Sequence, residues 1–193
     1  MGATHILINE EELVRQTQAG NTAAFGTIYD HYIRPIYTFV YYKTHHKETA
    51  EDITSAVFFK ALSAIKSVDP KKPFSPWLYR IAQNTVIDHY RTKKVSADIE
   101  DVWDVISDNV DITEGTDTDL TFAHVKKYMH VLTGRERDVL VLRIWEEKSY
   151  KEIGDILGVS EGNSKVILSR GLEKLRKVMP PLLFTTLITK FFI

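Results

Sequence analysis

Apolar residues recur at helical spacing through most of the chain, and polar residues between them supply the starts and stops of helices. Ser149 and Glu152 form a capping box, in which a hydroxyl and a carboxylate satisfy backbone N–H groups of a first turn. Ile153, Ile156 and Leu157 then form an apolar stripe on one side. The pattern therefore predicts a short amphipathic helix after Ser149.

A second helix is predicted almost immediately afterwards. Gly158 tolerates the left-handed conformation that ends a helix, and Ser160 is the next N-cap. The apolar positions that follow share one side: Leu168, Leu172 and Leu175. The opposite side is small, polar and basic: Gly162, Asn163, Val166, Arg170 and Lys174, with Ser169 at its margin. Two helices joined by so tight a turn are typical of a helix-turn-helix that reads the major groove of DNA.

The N-terminal half predicts further helices. Asn9 is the N-cap of a helical pattern that runs to Tyr32, and we expect Pro35 to break it and open a second helix. A third helix is predicted from Glu48 to about Ile65, and its inward residues are Ile53, Val57, Ala61 and Leu62.

A loop and a fourth helix come next. The segment from Lys66 to Phe74 has two prolines and three lysines, which indicates an exposed basic loop. Ser75 and Pro76 then begin a helix that ends near Arg91. One of its sides is mainly apolar: Leu78, Ile81, Ala82, Thr85 and Val86. The other is basic and carries amides, and such a side is either merely solvated or binds phosphates and base edges.

Charge is distributed unevenly, although the net charge is only −1. Residues 96–132 hold nine Asp/Glu against two Lys/Arg, whereas the segments on either side are mildly basic. The stretch 95–119 also has no sustained period, so we expect an acidic linker. A short helix from Leu120 to His130 and a capping box at Thr133 and Glu136 follow.

No strand-length alternation or internal repeat stands out, so the predicted fold is all-α. It consists of two small helical domains joined by the acidic linker, and the second domain is a helix-turn-helix. The expected boundaries are 1–94, 95–119, 120–178 and a C-terminal tail, 179–193.

The candidate chemistry does not favour an enzyme. The absence of cysteine excludes disulfides, thiolate zinc sites and cysteine nucleophiles. Four histidines and three carboxylates in the N-terminal half show no recognised ligand spacing: His31, His45, His46, His89, Glu48, Glu51 and Asp52. We expect no catalytic residue, metal or cofactor. The first residues carry no export pattern, so a cytoplasmic protein is the default expectation.

Three segments, in order, resemble the extracytoplasmic-function (ECF) group of bacterial RNA polymerase sigma factors. They are ETAEDITSAVFFKAL, WLYRIAQNTVIDHYR and the long segment from LTGRERDVLVL to the helix-turn-helix. The resemblance covers about residues 10–178, and the ECF group is part of the sigma-70 superfamily. The third segment alone looks equally like the DNA-binding domain of LuxR-type regulators, so an autonomous regulator is the alternative.

The resemblance implies three contact surfaces. The helix matching Glu48 to Ile65 docks on the clamp of the polymerase largest subunit, and the residues implied are Glu51, Asp52, Ser55, Phe58 and Phe59. The next loop and helix melt and read the minus-ten promoter element, through Lys71, Lys72, Arg80, Gln83, Asn84, Ile87, Arg91, Lys93 and Lys94. The helix-turn-helix reads the minus-thirty-five element, through Ser160, Gly162, Asn163, Lys165, Val166, Ile167, Ser169, Arg170 and Lys174.

The implied partners are core RNA polymerase, through its clamp and flap, promoter DNA and an anti-sigma factor, with no small-molecule substrate. The sequence departs from the family pattern at Ser55 and Ala56, where a Gln-Glu or Gln-Asp pair is common, and this affects the expected clamp affinity. Val166 and Ile167 replace a common Ser-Arg pair. Because their methyl groups suit thymine, we expect an upstream element rich in A and T.

Some aromatic residues have two interpretations. Trp77, Tyr79 and Tyr90 either stack on promoter bases or belong to the core, and of Phe58 and Phe59 at least one is expected inside.

The tail after Pro180 and Pro181 is apolar but too short for the roughly 20 residues that span a bilayer. Leu183, Leu187 and Phe191 share a helical side, which suits docking on the protein itself, on a partner or on a membrane surface. We favour docking on the protein itself, which would restrain the free chain.

Overall fold

The computed structural model describes residues 9–44, 46–93, 124–125 and 127–192, and within them every regular element is helical. The predicted all-α fold is therefore confirmed. Its helices are α1 (Glu10–Gln18), α2 (Thr22–Thr44), α3 (Lys47–Ala64), α4 (Phe74–Lys93), α5 (Gly134–Ile144), α6 (Tyr150–Leu157), α7 (Glu161–Val178) and α8 (Pro181–Phe192). Short 3-10 turns lie at Ile65–Ser67 and Met129–Val131.

The first module is formed by α1 to α4, in which α2, α3 and α4 pack on one another. The predicted inward side of α3 is correct for Ile53, Val57 and Ala61, which are buried. It is wrong for Leu62, which is 42% exposed. Successive helical residues are 100° apart, so Leu62 turns away from the direction in which Ala61 points, and Phe58 fills the core instead.

The predicted break at Pro35 is wrong, because α2 continues through that proline. The chain instead breaks at Gly20, whose φ of +95° ends α1 in a conformation that glycine adopts without strain. Ile36 and Phe39 are fully buried just beyond Pro35, so packing stabilises a helix that has lost one backbone hydrogen bond.

The first turn of α4 is held from a distance. The helix begins at Phe74, one residue before the predicted N-cap Ser75, which is buried inside it. The Phe74 N–H donates to Oε2 of Glu10 in α1 at 3.2 Å, and Tyr32 of α2 donates to the other oxygen of the same carboxylate. The Glu10 side chain of α1 thus joins the start of α4 to the middle of α2.

The second module follows the predicted capping pattern closely. Complete capping boxes begin α5, at Thr133 and Glu136, and α6, at Ser149 and Glu152. Gly158 ends α6 with a φ of 68°, and Ser160 caps α7 by accepting from the Asn163 N–H at 3.2 Å. These local predictions are confirmed.

The predicted linker at 95–119 lies outside the described residues, as does the start of the short helix expected from Leu120. In the described part of that helix, His124 and Val125 are helical, and a 3-10 turn at Met129–Val131 replaces its end.

The two modules lie against each other. α4 packs on α6 and α2 contacts α5, so that the buried apolar residues form one continuous cluster. At the end of the chain, α8 packs on α5 and α7, with Leu187 fully buried and Leu182 81% exposed. In the described ranges, no helix is long and apolar enough to cross a membrane.

Candidate nucleic-acid interface

The helix-turn-helix presents one side of α7 to solvent. Leu168 and Leu175 anchor the opposite side in the core at 2% and 0% exposure. Most of the predicted minus-thirty-five residues are exposed: Ser160, Gly162, Asn163, Lys165, Val166, Ser169 and Arg170. They lie on the N-terminal and middle turns of α7, which is the part of such a helix that enters a major groove.

Two predicted residues of this set are placed differently. Ile167 is partly buried against the core, so the exposed methyl groups come from Val166, which is 45% exposed. The Lys174 ammonium donates to Oε2 of Glu136 at 2.8 Å. Burial alone would raise the pKa of Glu136, but hydrogen bonds from Lys174 and Thr133 hold that pKa below its ordinary value. Lys174 therefore ties α7 to α5.

Most of the described residues of the predicted minus-ten surface face solvent, and two of them contact the second module. Lys71 and Lys72 are exposed in the loop, and Asn84 and Arg91 are exposed on α4, with Ile87 partly buried between them. Lys93 is the last residue of α4, and Lys94 lies outside the described residues. Of the candidate stacking aromatics, Tyr79 is fully buried and Trp77 and Tyr90 are packed partly against the core.

The two residues that contact the second module are Arg80, which is still exposed, and Gln83, which is half-buried. Nε of Arg80 donates to the backbone oxygen of Asp155 in α6 at 3.1 Å. Nε2 of Gln83 donates to Oδ2 of Asp138 in α5 at 3.4 Å. Two side chains expected to meet DNA thus contact protein in this conformation.

Comparisons with known proteins identify the two modules. The model of Sigma-70 region 2 matches residues 28–95, and that of Sigma-70 region 4 matches residues 128–177. The ECF RNA polymerase sigma factor SigW of Bacillus subtilis is 33% identical over 175 residues, which cover 85% of this chain and 93% of SigW. The chain belongs to the ECF sigma factors. The resemblance found in the sequence is therefore confirmed.

Other relatives agree with this assignment. The ECF sigma factor SigM of Bacillus subtilis is 31% identical to the sigma factor over 153 residues, covering 77% of this chain and 91% of SigM. BldN of Streptomyces coelicolor is 29% identical over 172 residues, covering 88% of this chain, but the chain spans only 65% of the length of BldN.

Solved structures share the fold of the sigma factor. CnrH, solved in complex with the cytosolic domain of CnrY, matches with a TM-score of 0.68 at 23% identity and covers 89% of this chain and 97% of its own. RpoE of Bartonella quintana, solved with the anti-sigma factor NepR, matches with a TM-score of 0.65 at 20% identity, covering 79% and 94%.

The residues expected to face polymerase lie on α3 of the sigma factor. Glu51, Asp52 and Ser55 are exposed on one stretch, and Phe59 is 74% exposed. Phe58 is 4% exposed, and its ring packs edge-on against that of Tyr29 with 4.8 Å between the ring centroids. It is therefore not available to a partner in this conformation. Of the two phenylalanines, one is thus internal, as the sequence predicted.

Sequence reasoning missed two residues that position the basic loop. Nε2 of Gln18 donates to the backbone oxygens of Ile65 at 2.9 Å and Val68 at 2.8 Å, at the start of that loop. Glu10 accepts from the N–H of Phe74 at the end of the loop. Both contacts join residues at least 47 positions apart, so no local pattern indicates them. Across the described residues, no cluster of three His, Asp or Glu side chains suits a metal ion.

Proposed function

We propose that this sigma factor binds core RNA polymerase, directs it to promoters and enables it to start transcripts there. The observation that carries the proposal is the pairing, in one chain, of a region 2 module with a helix-turn-helix whose second helix exposes Asn163, Val166 and Arg170. A sigma factor needs both, because it recognises two separate promoter elements.

The two surfaces suit two forms of DNA. The exposed side of α7 carries small and polar residues that suit a duplex major groove, and Asn163 and Arg170 can meet base edges there. The loop carries Lys71 and Lys72, and the outer side of α4 carries Asn84 and Arg91. These side chains can hold unstacked bases and their phosphates. We therefore assign α7 to the minus-thirty-five element and α4 with its loop to the minus-ten element.

The proposed polymerase surface is the exposed side of α3. Phe59 supplies an apolar anchor, and Glu51 and Asp52 flank it with charge, which is the usual composition of an interface centre and rim. The acidic segment 95–119 is proposed to follow a basic polymerase channel between the two sites.

The remaining proposals concern the setting. The sigma factor is expected to act without catalytic residues of its own, since polymerase carries the chemistry, and in the cytoplasm, where polymerase meets the chromosome. An anti-sigma partner is proposed because RpoE was solved bound to the anti-sigma factor NepR. The autonomous LuxR-like regulator is not favoured, because such a regulator has no use for the region 2 module that spans α3 and α4.

Run-off transcription with purified core polymerase tests the proposal. The wild-type chain should start transcripts that core polymerase alone does not. Arg170→Ala should reduce them roughly fivefold or more, since a base-contacting arginine contributes about 1–3 kcal/mol. Lys177→Ala is the matched control, because Lys177 carries the same charge on α7 but pairs with Glu173 at 3.2 Å. Specific duplex binding without polymerase, and no transcripts with it, would favour the autonomous regulator instead.

A further inference from the structure

The contact between the two modules buries charge that water would otherwise solvate. Lys43 of α2 and Asp138 of α5 form an ion pair. Both residues are nearly inaccessible to solvent, at 4% and 7% exposure. Burial lowers the pKa of Lys43, and Asp138 opposes that shift. A buried pair of this kind is stable only while both partners are present, because either one alone would be an uncompensated charge in the interior.

Four further contacts join the two modules, and together with the ion pair they are called the interdomain contact below. Tyr79 of α4 donates its hydroxyl hydrogen to Glu146, and the Lys148 ammonium lies 4.8 Å from the centre of the Tyr79 ring. Arg80 donates to a last-turn carbonyl of α6, at Asp155, and such carbonyls have no partner within their own helix. Gln83 joins Asp138 from the same side of α4.

The interdomain contact uses the surface that the proposed function assigns to DNA. Arg80 and Gln83 lie on the outer side of α4 with Asn84 and Arg91, and the second module accepts hydrogen bonds from the first two, of which Gln83 is half-buried and Arg80 stays exposed. A strand that bound Arg80 and Gln83 would compete with their hydrogen bonds to Asp155 and Asp138.

We propose that the free chain is closed by the interdomain contact, with the Lys43–Asp138 pair at its centre, and that the second module covers part of the minus-ten surface until the modules separate. This inference rests on the proposed function, which makes α4 a promoter-reading helix. Separation returns Lys43 and Asp138 to water, so loss of one partner penalises the closed form and leaves the open form and the fold of each module unaffected. The contact therefore acts as an intramolecular competitor of single-stranded promoter DNA.

The test compares variants that remove the same charge from different places. Asp138→Asn leaves Lys43 unbalanced in the closed form, whereas Glu11→Gln removes a carboxylate from the exposed Arg15–Glu11 pair on α1. Because the chain has no cysteine, dyes attached at Ala19→Cys and Thr185→Cys, both exposed, report the separation of the modules by energy transfer. Affinity is measured with a single-stranded oligonucleotide of the non-template minus-ten sequence, without polymerase.

Asp138→Asn should lower the energy transfer and bind the oligonucleotide about tenfold more tightly, since affinity rises with the fraction of open molecules. Glu11→Gln should match the wild type. Lys43→Ala, which breaks the pair from the other module, should repeat the result. The double variant Lys43→Met with Asp138→Leu should close again, because an apolar pair can replace a buried ion pair and a crevice beside both residues provides room.

Unchanged energy transfer in both single variants would overturn the closed arrangement, and opening without a gain in affinity would overturn the covering of the minus-ten surface. Run-off transcription at saturating factor separates this inference from the proposed function. Asp138→Asn and the wild type should start equal numbers of transcripts there, because polymerase holds both open. If neither protein starts transcripts while energy transfer still shows a closed wild type, the result would count against the proposed function and not against the closed arrangement.

Discussion

At the scale of single residues, Glu146 is the carboxyl that the module contact perturbs most clearly. Burial raises its pKa from 4.5 to about 7, although hydrogen bonding from Tyr79 and the charge of Lys148 act in the opposite direction. Tyr42 of α2 and the neighbouring Glu147 also face it. The protonated form of Glu146 is therefore the one that suits the closed arrangement.

This shift makes closure depend on pH. A carboxyl with a higher pKa in the closed form binds a proton more tightly there, so it favours closure fully below pH 4.5. That contribution is lost as the pH rises through about 7. Energy transfer between the two dyes should fall across this range in the wild type and stay level in Glu146→Gln, which is neutral throughout. A parallel fall in both proteins would assign the effect to other groups, such as the histidines.

At the scale of elements, the turn of the helix-turn-helix depends on a glycine that the helical pattern does not single out. A Cβ on Gly154 would lie 2.6 Å from the backbone oxygen of Val159, inside the turn that separates α6 from α7. The Val159 N–H in turn donates to the Gly154 oxygen at 3.0 Å. The two helices can therefore approach this closely only without a side chain at Gly154.

Replacing this glycine should destabilise the second module. Gly154→Ala should lower the free energy of unfolding by about 1–3 kcal/mol, the usual cost of overpacking, because the obstructing atom belongs to the backbone. Gly162→Ala is the matched control, since a Cβ there meets nothing within 4 Å and alanine favours a helix by up to about 1 kcal/mol. Thermal unfolding followed by circular dichroism measures both. Equal stability of the two variants would contradict the close approach.

Elements fixed by neighbouring residues were predictable, and those fixed by distant ones were not. The capping boxes at Thr133 and Ser149 satisfy N–H groups three positions away, so the sequence shows both partners at once. Pro35 misled the prediction because its local cost is outweighed by burial of Ile36 and Phe39 against other helices. The interdomain contact joins residues up to 95 positions apart, such as Lys43 and Asp138, so local patterns do not indicate that Arg80 and Gln83 contact the second module.

At the scale of the whole molecule, α8 extends the second module beyond the region that the family model matches, which ends at residue 177. Leu187 is fully buried, and Leu183 and Phe184 pack partly against the same core. The predicted docking of the tail on the protein itself is thus what the structure shows, while its restraint of the free factor stays a prediction.

The tail should stabilise the second module through one side only. Leu187→Ala should lower the free energy of unfolding by about 2 kcal/mol or more, whereas Leu182→Ala, at 81% exposure, should change it by less than about 0.5 kcal/mol. Denaturant unfolding of the full chain distinguishes them. Deletion of residues 180–193 should also alter promoter binding and transcription if the tail restrains the factor. Unchanged values in both assays would contradict that restraint.

The carboxylate of Glu10 has a practical consequence for shortened versions of this chain. A version that starts after it would lose the acceptor for the first N–H of α4 and for the Tyr32 hydroxyl together, and loss of Gln18 would also release the carbonyls before the lysine loop. Trimmed proteins should then lose part of the single-strand binding proposed for α4, and the duplex binding proposed for α7 should be retained. Recombinant work on this factor is best done with α1 intact.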